Sequence, residues 1–285
     1  MKSSLGVNPS APGGEQPYLV TALVSTYKAG RFIHACLDDL VQQTIFPRTE
    51  VIVIDSASPE NEASVVREFQ RLHSNIRYLR TAERETLYAA WNRGIGLATG
   101  RFLTNANTDD RHAPHAFEKL AHWLDLHPDY GVVYASTAIT DEANSTLAAA
   151  PIKGCFKAKP FDRKRLFREC LPGPQPMWRR DLHQQFGLFD PSLLIAGDYE
   201  FWLRLSGRVS FGHIPECLGL FLDSPASLMH GETDRMAREM ELARERHWPA
   251  EWGARQPFRR EECESPQRGR GEARSQRDAR RVRDA

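Results

Sequence analysis

The apolar positions of this chain fall into two alternating rhythms. Tyr18 to Ser25 is a short apolar run that ends in Thr26-Tyr27-Lys28-Ala29-Gly30. Ile33, Leu37, Leu40 and Val41 then repeat at helical spacing. Val51-Ile52-Val53-Ile54 has no polar residue in it, as a strand covered on both faces requires, and it runs into Asp55-Ser56-Ala57-Ser58-Pro59. The spacing predicts a second helix with Val65, Phe69 and Leu72 inward, then a strand over Ile76 to Leu79. Thr86 to Ala98 reads as a helix closed by Gly100, and a strand from Arg101 to Thr104 leads into Asn105-Ala106-Asn107-Thr108-Asp109-Asp110. Pro114 suits the first turn of a helix burying Phe117, Leu120, Ala121 and Leu124, and Tyr130 to Ser136 is a further strand. Such alternation predicts an α/β fold with a mostly parallel central sheet. Ligands of these sheets sit beyond the carboxyl ends of the strands, where the polar segments at Thr26, Asp55 and Asp109 fall.

Beyond Thr137 the rhythm weakens. Residues 138–176 are rich in Pro and Gly around one helical stretch near Arg163 to Glu169, as a long functional or mobile loop would be. Regular structure returns at Met177 to Arg180, in a helix over Gly197 to Leu205, and in a last strand over Leu218 to Leu222. The expected organisation is a disordered segment 1–17, one domain over 18–245 (halves 18–110 and 111–245), and a disordered Arg-rich tail over 246–285, almost free of apolar residues from Ala254.

Of the 285 residues, 41% are hydrophobic and 26% charged, an ordinary globular balance. The net charge of +1 creates no whole-chain field, so nucleic-acid binding is not expected. The charge is uneven, with ten arginines against six acids from Arg255 onward. That tail reads first as a solvated end and second as a peripheral contact for anionic lipid headgroups. Five cysteines without a C-x-x-C pair argue against a disulfide framework or a cysteine-zinc site. Residues 1–17 lack an apolar signal region, and no run approaches the ~20 apolar residues of a membrane-spanning helix. A cytoplasmic location is expected.

Two acidic constellations carry candidate chemistry. Asp109-Asp110 at a strand end is either a solvated turn or a site for a hard divalent cation, which takes one or two protein carboxylates and completes its shell with phosphate and water. Asp198 and Glu200, two apart on the helix Gly197 to Leu205, point different ways and so serve different ends: helix-dipole stabilisation, or a general base. Arg84 and Arg93 are candidates for phosphate contact or surface salt bridging. His112 and His115 mimic an H-x-x-H pair, but Pro114 between them disfavours a helical metal site. Trp178 and Arg179 stand where an acceptor contact or core packing would fit.

Val24-Ser25-Thr26-Tyr27, the helix ending Gln42-Gln43-Thr44, and Glu50 to Ser58 resemble the opening of family-2 glycosyltransferases. Ala89-Ala90-Trp91-Asn92-Arg93-Gly94-Ile95 through Gly100 is similar to the segment preceding their D-x-D-type motif. Thr108-Asp109-Asp110 resembles the T-D-D variant of spore-coat-polysaccharide-type members, and Gly187-Leu188-Phe189-Asp190 with Ala196 to Arg204 resembles the late acidic motif. The resemblance covers about residues 18–225. It implies a GT-A fold and inverting transfer from a nucleotide-diphosphate sugar, UDP-linked before GDP- or dTDP-linked, to a saccharide or glycoconjugate hydroxyl, with Mg²⁺ or Mn²⁺. It implies Thr26, Tyr27, Asp55 and Asp109 at the nucleotide, Asp110 and His230 at the metal, Asp198 as base, and Glu200 and Trp178 as acceptor contacts or support. Ser56 departs from the pattern, since a second acid is common there. It keeps open a catalytically inactive binding or scaffold protein. The other alternative is a nucleotidyltransferase, although Thr26 to Arg31 offers only Gly30 and Lys28 for a triphosphate loop.

Overall fold

The computed structural model describes residues 18–224 and 232–255. In chain order the strands are β1 (Val20–Thr26), β2 (Thr49–Asp55), β3 (Ile76–Arg80), β4 (Phe102–Asn105), β5 (Arg111–His112), β6 (Tyr130–Thr140), β7 (Gly154–Phe156), β8 (Met177–Arg179) and β9 (Ser210–Leu222). The helices are α1 (Ile33–Val41), α2 (Glu62–Leu72), α3 (Leu87–Leu97), α4 (Ala116–Leu126), α5 (Arg163–Leu166), α6 (Leu182–Phe186), α7 (Gly197–Leu205) and α8 (Thr233–His247). One sheet runs β3-β2-β1-β4-β8-β6-β9-β5, with β7 beside β6. The first four strands pair in parallel. β8 reverses between β4 and β6, and β9 lies parallel to β6. Among the described strands only β5, β7 and β8 therefore run against the rest, and the sheet is mostly parallel as expected.

The unbroken apolar runs have a direct cause. Alternate residues of one strand enter two different cores. Leu23, Ile52, Ile54 and Leu103 face Tyr88 and Trp91 of α3 and Phe201 and Trp202 of α7. Val20, Ala22, Val24, Val51, Val53 and Phe102 face α1 and α4, including Ile33, Leu37, Phe117 and Leu120. Each fully buried aliphatic side chain contributes about 1.5–3 kcal/mol relative to exposure. Gly100, at the α3–β4 turn, has no alternative, because a Cβ would stand 2.6 Å from the Thr21 backbone nitrogen. The same turn is tied to the sheet by buried Glu50, whose carboxylate accepts from the Thr21 hydroxyl and from the Gly100 N–H.

Several expectations need correction. Leu72 is 79% exposed, whereas Val65 and Phe69 pack against the core as expected and Val66 is the fully buried apolar residue of α2. The last strand begins at Ser210, eight residues before Leu218, with a bulged register against β6 over Ala135 to Thr137. The expected domain end at 245 falls inside α8. That helix buries only Ala243 and Arg244, so its sequence lacks an apolar stripe. Beyond it Trp248 and Trp252 pack their rings at 5.5 and 5.1 Å from Phe167. No helix among the described residues is long and apolar enough to cross a membrane. Residues 1–17, His230 and the arginine-rich run beyond 255 lie outside the described residues.

Candidate functional site

Parallel pairing sets Thr26 directly beside Asp55 at the carboxyl ends of β1 and β2. Asp55 is fully buried. Its Oδ2 accepts from the Tyr78 hydroxyl and Arg80 Nη1, both at 2.5 Å, and its Oδ1 from the Ser58 N–H at 2.7 Å. Burial, then the bond to this carboxylate, pushes the Tyr78 hydroxyl up to about 12. The loops after β1 and β2 are joined by Glu62, which accepts from the Ala29 N–H at 2.9 Å and the Ser58 hydroxyl at 2.7 Å. Its Oε2 is buried without a partner among the described residues. Tyr27 is half-buried, with the Arg84 guanidinium 4.2 Å from its ring centre. Arg93 instead pairs with Glu85 on the surface.

Ser56, where a second acid was expected, has a structural use. Its hydroxyl donates to the Glu85 carbonyl and accepts from the Glu85 N–H, sewing the β3–α3 loop to the end of β2. Thr86 then caps α3 and donates to the Pro191 carbonyl at 3.0 Å. The start of α3 is thereby held at the same end of the sheet as Asp55.

Asp109 and Asp110 lie between β4 and β5. The Asp110 N–H returns to the Asn107 carbonyl at 3.2 Å, closing a tight turn. Asp110 is buried, and accepts from Asn107 Nδ2 at 3.1 Å and the Leu222 N–H at 3.3 Å. The next residue, Arg111, makes a buried two-pronged pair with Asp39 of α1 at 2.5 and 2.8 Å, which anchors the turn to the core. Burial pushes both aspartates up, and the Asp109 charge pushes Asp110 further. Neither has an ion-pair partner among the described residues. Two crowded carboxylates without a cation fit a hard divalent ion whose shell is completed by phosphate and water. Asp110 would hold it, beside Asp109. No group of three or more His, Cys, Asp or Glu suited to a metal occurs among the described residues. His112 is buried against Phe117 and lowered to about 4 by burial and then by Arg111.

Asp198 stands in the first turn of α7. Its Oδ1 accepts from the Tyr88 hydroxyl at 2.9 Å and the Tyr199 N–H at 2.8 Å, while Oδ2 has no hydrogen bond among the described residues. Burial pushes the carboxyl up, and the Tyr88 bond opposes that rise. Glu200 points elsewhere, as the spacing required. Burial alone would raise it, but His247 at 2.6 Å and Arg204 at 2.5 Å hold it below the usual range. Trp178 is completely buried, with its indole N–H on His183 Nε2 at 2.9 Å. It is core support, and burial removes it as an acceptor contact.

Sequence reasoning missed Tyr88, Arg80, Tyr78 and Glu239. Tyr88 sat in a helical run where an aromatic reads as core. Glu239 of α8 accepts from the N–H groups of Leu194, Ile195 and Ala196 at 2.8–3.1 Å, across 43–45 residues that no local pattern spans.

Comparison with known proteins accords with this geometry. The model of glycosyl transferase family 2 matches residues 21–184, more than half of the chain. An uncharacterised glycosyltransferase of Methanocaldococcus jannaschii is 22% identical over 70% of this chain and 69% of its own length. One of Mycoplasma pneumoniae is 26% identical over 61% of this chain, a match spanning just over half, 56%, of that relative. Among solved structures, a mannosyltransferase of Pyrobaculum calidifontis in complex with GDP-Man and Mn²⁺ superposes with TM-score 0.63 at 20% identity, over 87% of this chain and 69% of that one. S. aureus TarS in complex with UDP-GlcNAc gives 0.64 at 14% identity, over 79% and 66%. The fold is GT-A, and the chain belongs to glycosyltransferase family 2.

Proposed function

We propose that the chain is an inverting glycosyltransferase that moves a sugar from a nucleotide-diphosphate donor, UDP-linked in the first instance, to a hydroxyl of a saccharide or glycoconjugate. The observation that carries this reading is Asp198: a carboxylate raised by burial, with Oδ1 held and Oδ2 unpartnered, at the end of the sheet that also bears Asp55 and the Asp109-Asp110 turn. In the proposed step Oδ2 takes the proton of the acceptor hydroxyl as that oxygen bonds to the anomeric carbon. The bond from this carbon to the nucleoside diphosphate breaks on the opposite side, so the configuration inverts without a covalent sugar-enzyme species. Thr26, Tyr27 and Asp55 would line the nucleotide, and Asp109 its ribose. A divalent ion at Asp110 would offset the charge of the departing diphosphate.

A thermal-shift screen of UDP-, GDP- and dTDP-sugars with and without Mn²⁺ tests donor binding and names the donor. Asp110→Ala should abolish the Mn²⁺-dependent part of the shift. Asp198→Asn should leave the shift in place while lowering transfer roughly 10²–10⁴-fold. An Mn²⁺-dependent part of the shift that Asp110→Ala keeps at its wild-type size would remove the metal assignment, and retained transfer in Asp198→Asn would remove the base. Donor binding with no transfer to any acceptor in wild type would favour the inactive scaffold.

A further inference from the structure

One hydroxyl holds Asp198, and it has two places to send its proton. Tyr88 Oη lies 2.9 Å from Asp198 Oδ1 and 2.6 Å from the Ile195 carbonyl oxygen. A phenol carries a single proton, and both neighbours are acceptors. Donation therefore goes to one at a time, and a rotation about the ring C–O bond exchanges them. An ionised Asp198 draws the proton, because a hydrogen bond to a charged acceptor is about twice as strong as a neutral one. Once Asp198 is protonated that preference is gone, and the closer carbonyl becomes the better acceptor.

The surroundings fix everything except this rotation. The Tyr88 ring is 2% exposed, with its edge on Trp91 and its tilted face toward Phe189. Gly197, immediately before Asp198, makes room for it: a Cβ there would meet three Tyr88 ring atoms at 2.6–2.8 Å. Ile195 is held from the other side, where its N–H donates to Glu239 at 2.8 Å. Among the described residues the titratable groups that meet Asp198 are Tyr88 from α3 and Cys170 from the segment after α5, while Glu239 from α8 holds the 194–196 loop just ahead of it. Burial and the Asp198 charge both push the Tyr88 phenol upward, so it keeps its proton.

We propose that Tyr88 is a positioning residue for the transfer: its hydroxyl fixes Asp198 through Oδ1, leaves Oδ2 for the acceptor proton, and turns to the Ile195 carbonyl when that proton arrives. This rests on the reading of Asp198 as base. Asp198 then begins the step as a ready carboxylate and ends it without stranding a buried polar group. No atom of Tyr88 gains or loses a covalent bond.

The test is a carboxyl ¹³C NMR titration of the full chain labelled at Asp Cγ, with the Asp198 signal assigned by its loss in Asp198→Asn. Tyr88→Phe keeps the ring against Gly197 and removes the hydroxyl. Its Asp198 midpoint should rise by about one pH unit. The acid limb of nucleoside diphosphate release from the donor found by thermal shift should rise with it, at unchanged donor KM. 3-Fluorotyrosine installed at position 88, a stronger donor in the same space, should lower the midpoint and serves if Tyr88→Phe does not fold. A midpoint that moves with neither replacement overturns the proposal, as does a uniform loss of rate at every pH with an unmoved acid limb. If Asp198→Asn keeps transfer, the base reading falls. If Asp198→Asn is inactive and the midpoint is unmoved, only the role of Tyr88 falls.

Discussion

His183 illustrates how far a single residue's state is set by its partners. Its Nε2 accepts from the Trp178 indole and its Nδ1 faces the Gly187 carbonyl at 3.0 Å, so the neutral ring with the proton on Nδ1 satisfies both. Burial lowers its pKa from 6.5 to about 4. The unfolded chain then binds the proton first as pH falls. Stability from this residue is complete above pH 6.5 and is lost as pH drops toward 4, by at most about 3 kcal/mol. The raised carboxyls of Asp109, Asp110 and Asp198 act with opposite sign, favouring the folded chain as pH falls. The measurement is therefore a difference: urea midpoints of wild type and His183→Gln at pH 7.5 and 5.0. Wild type should lose more stability on acidification than the variant, and parallel losses would remove the assignment. Asp110 and Asp198 were legible as residues because each sits at a predicted element end. The engagement of Asp55 by Tyr78 and Arg80 was not, since it is made across strands.

At the scale of elements, α8 does for the late acidic motif what packing does elsewhere. Its Glu239 takes three consecutive N–H groups just ahead of α7, and its His247 holds Glu200. A carboxylate gathering successive amides is a charge-assisted anchor, and its removal leaves those donors to water. Glu239→Ala should cost about 2–3 kcal/mol in denaturant unfolding. It should also remove hydrogen-exchange protection at Leu194 to Ala196 while sparing β1 and β2. Protection unchanged at those three amides would show that other contacts hold the loop. The helix was invisible in the apolar pattern because its buried side is Ala243 and Arg244, and the Arg244 guanidinium is satisfied by the Phe167 carbonyl at 2.7 Å.

For the whole molecule, the domain extends past residue 245 to at least Trp252. His247, Trp248 and Trp252 tie the end of α8 to α7 and to Phe167. A chain ended after 245 should be less stable than one ended after 255 by about 3 kcal/mol, from the lost aromatic packing and the freed Glu200. Equal melting temperatures for the two would return the boundary to 245. The same view explains why the site is assembled from distant parts. Parallel strands deliver all their carboxyl ends to one edge, so residues 26, 55 and 110 converge there without being near one another in sequence.

The sequence by itself determined many of the elements and their order, though not α8 or the start of β9. Burial on both faces leaves unbroken apolar runs, helices leave their spacing, and polar loops mark the strand ends, so β1 to β4, α3, α4, α7 and the carboxylates Asp55, Asp109, Asp110 and Asp198 could all be read locally. Only the tertiary structure decided which groups hold those carboxylates. Tyr88 reaches Asp198 across 110 residues, Leu222 reaches Asp110 across 112, and Asp39 reaches Arg111 across 72. Such contacts are set by a few ångströms of placement between packed elements. Hydrophobic periodicity records which face is buried, not which polar partner waits there.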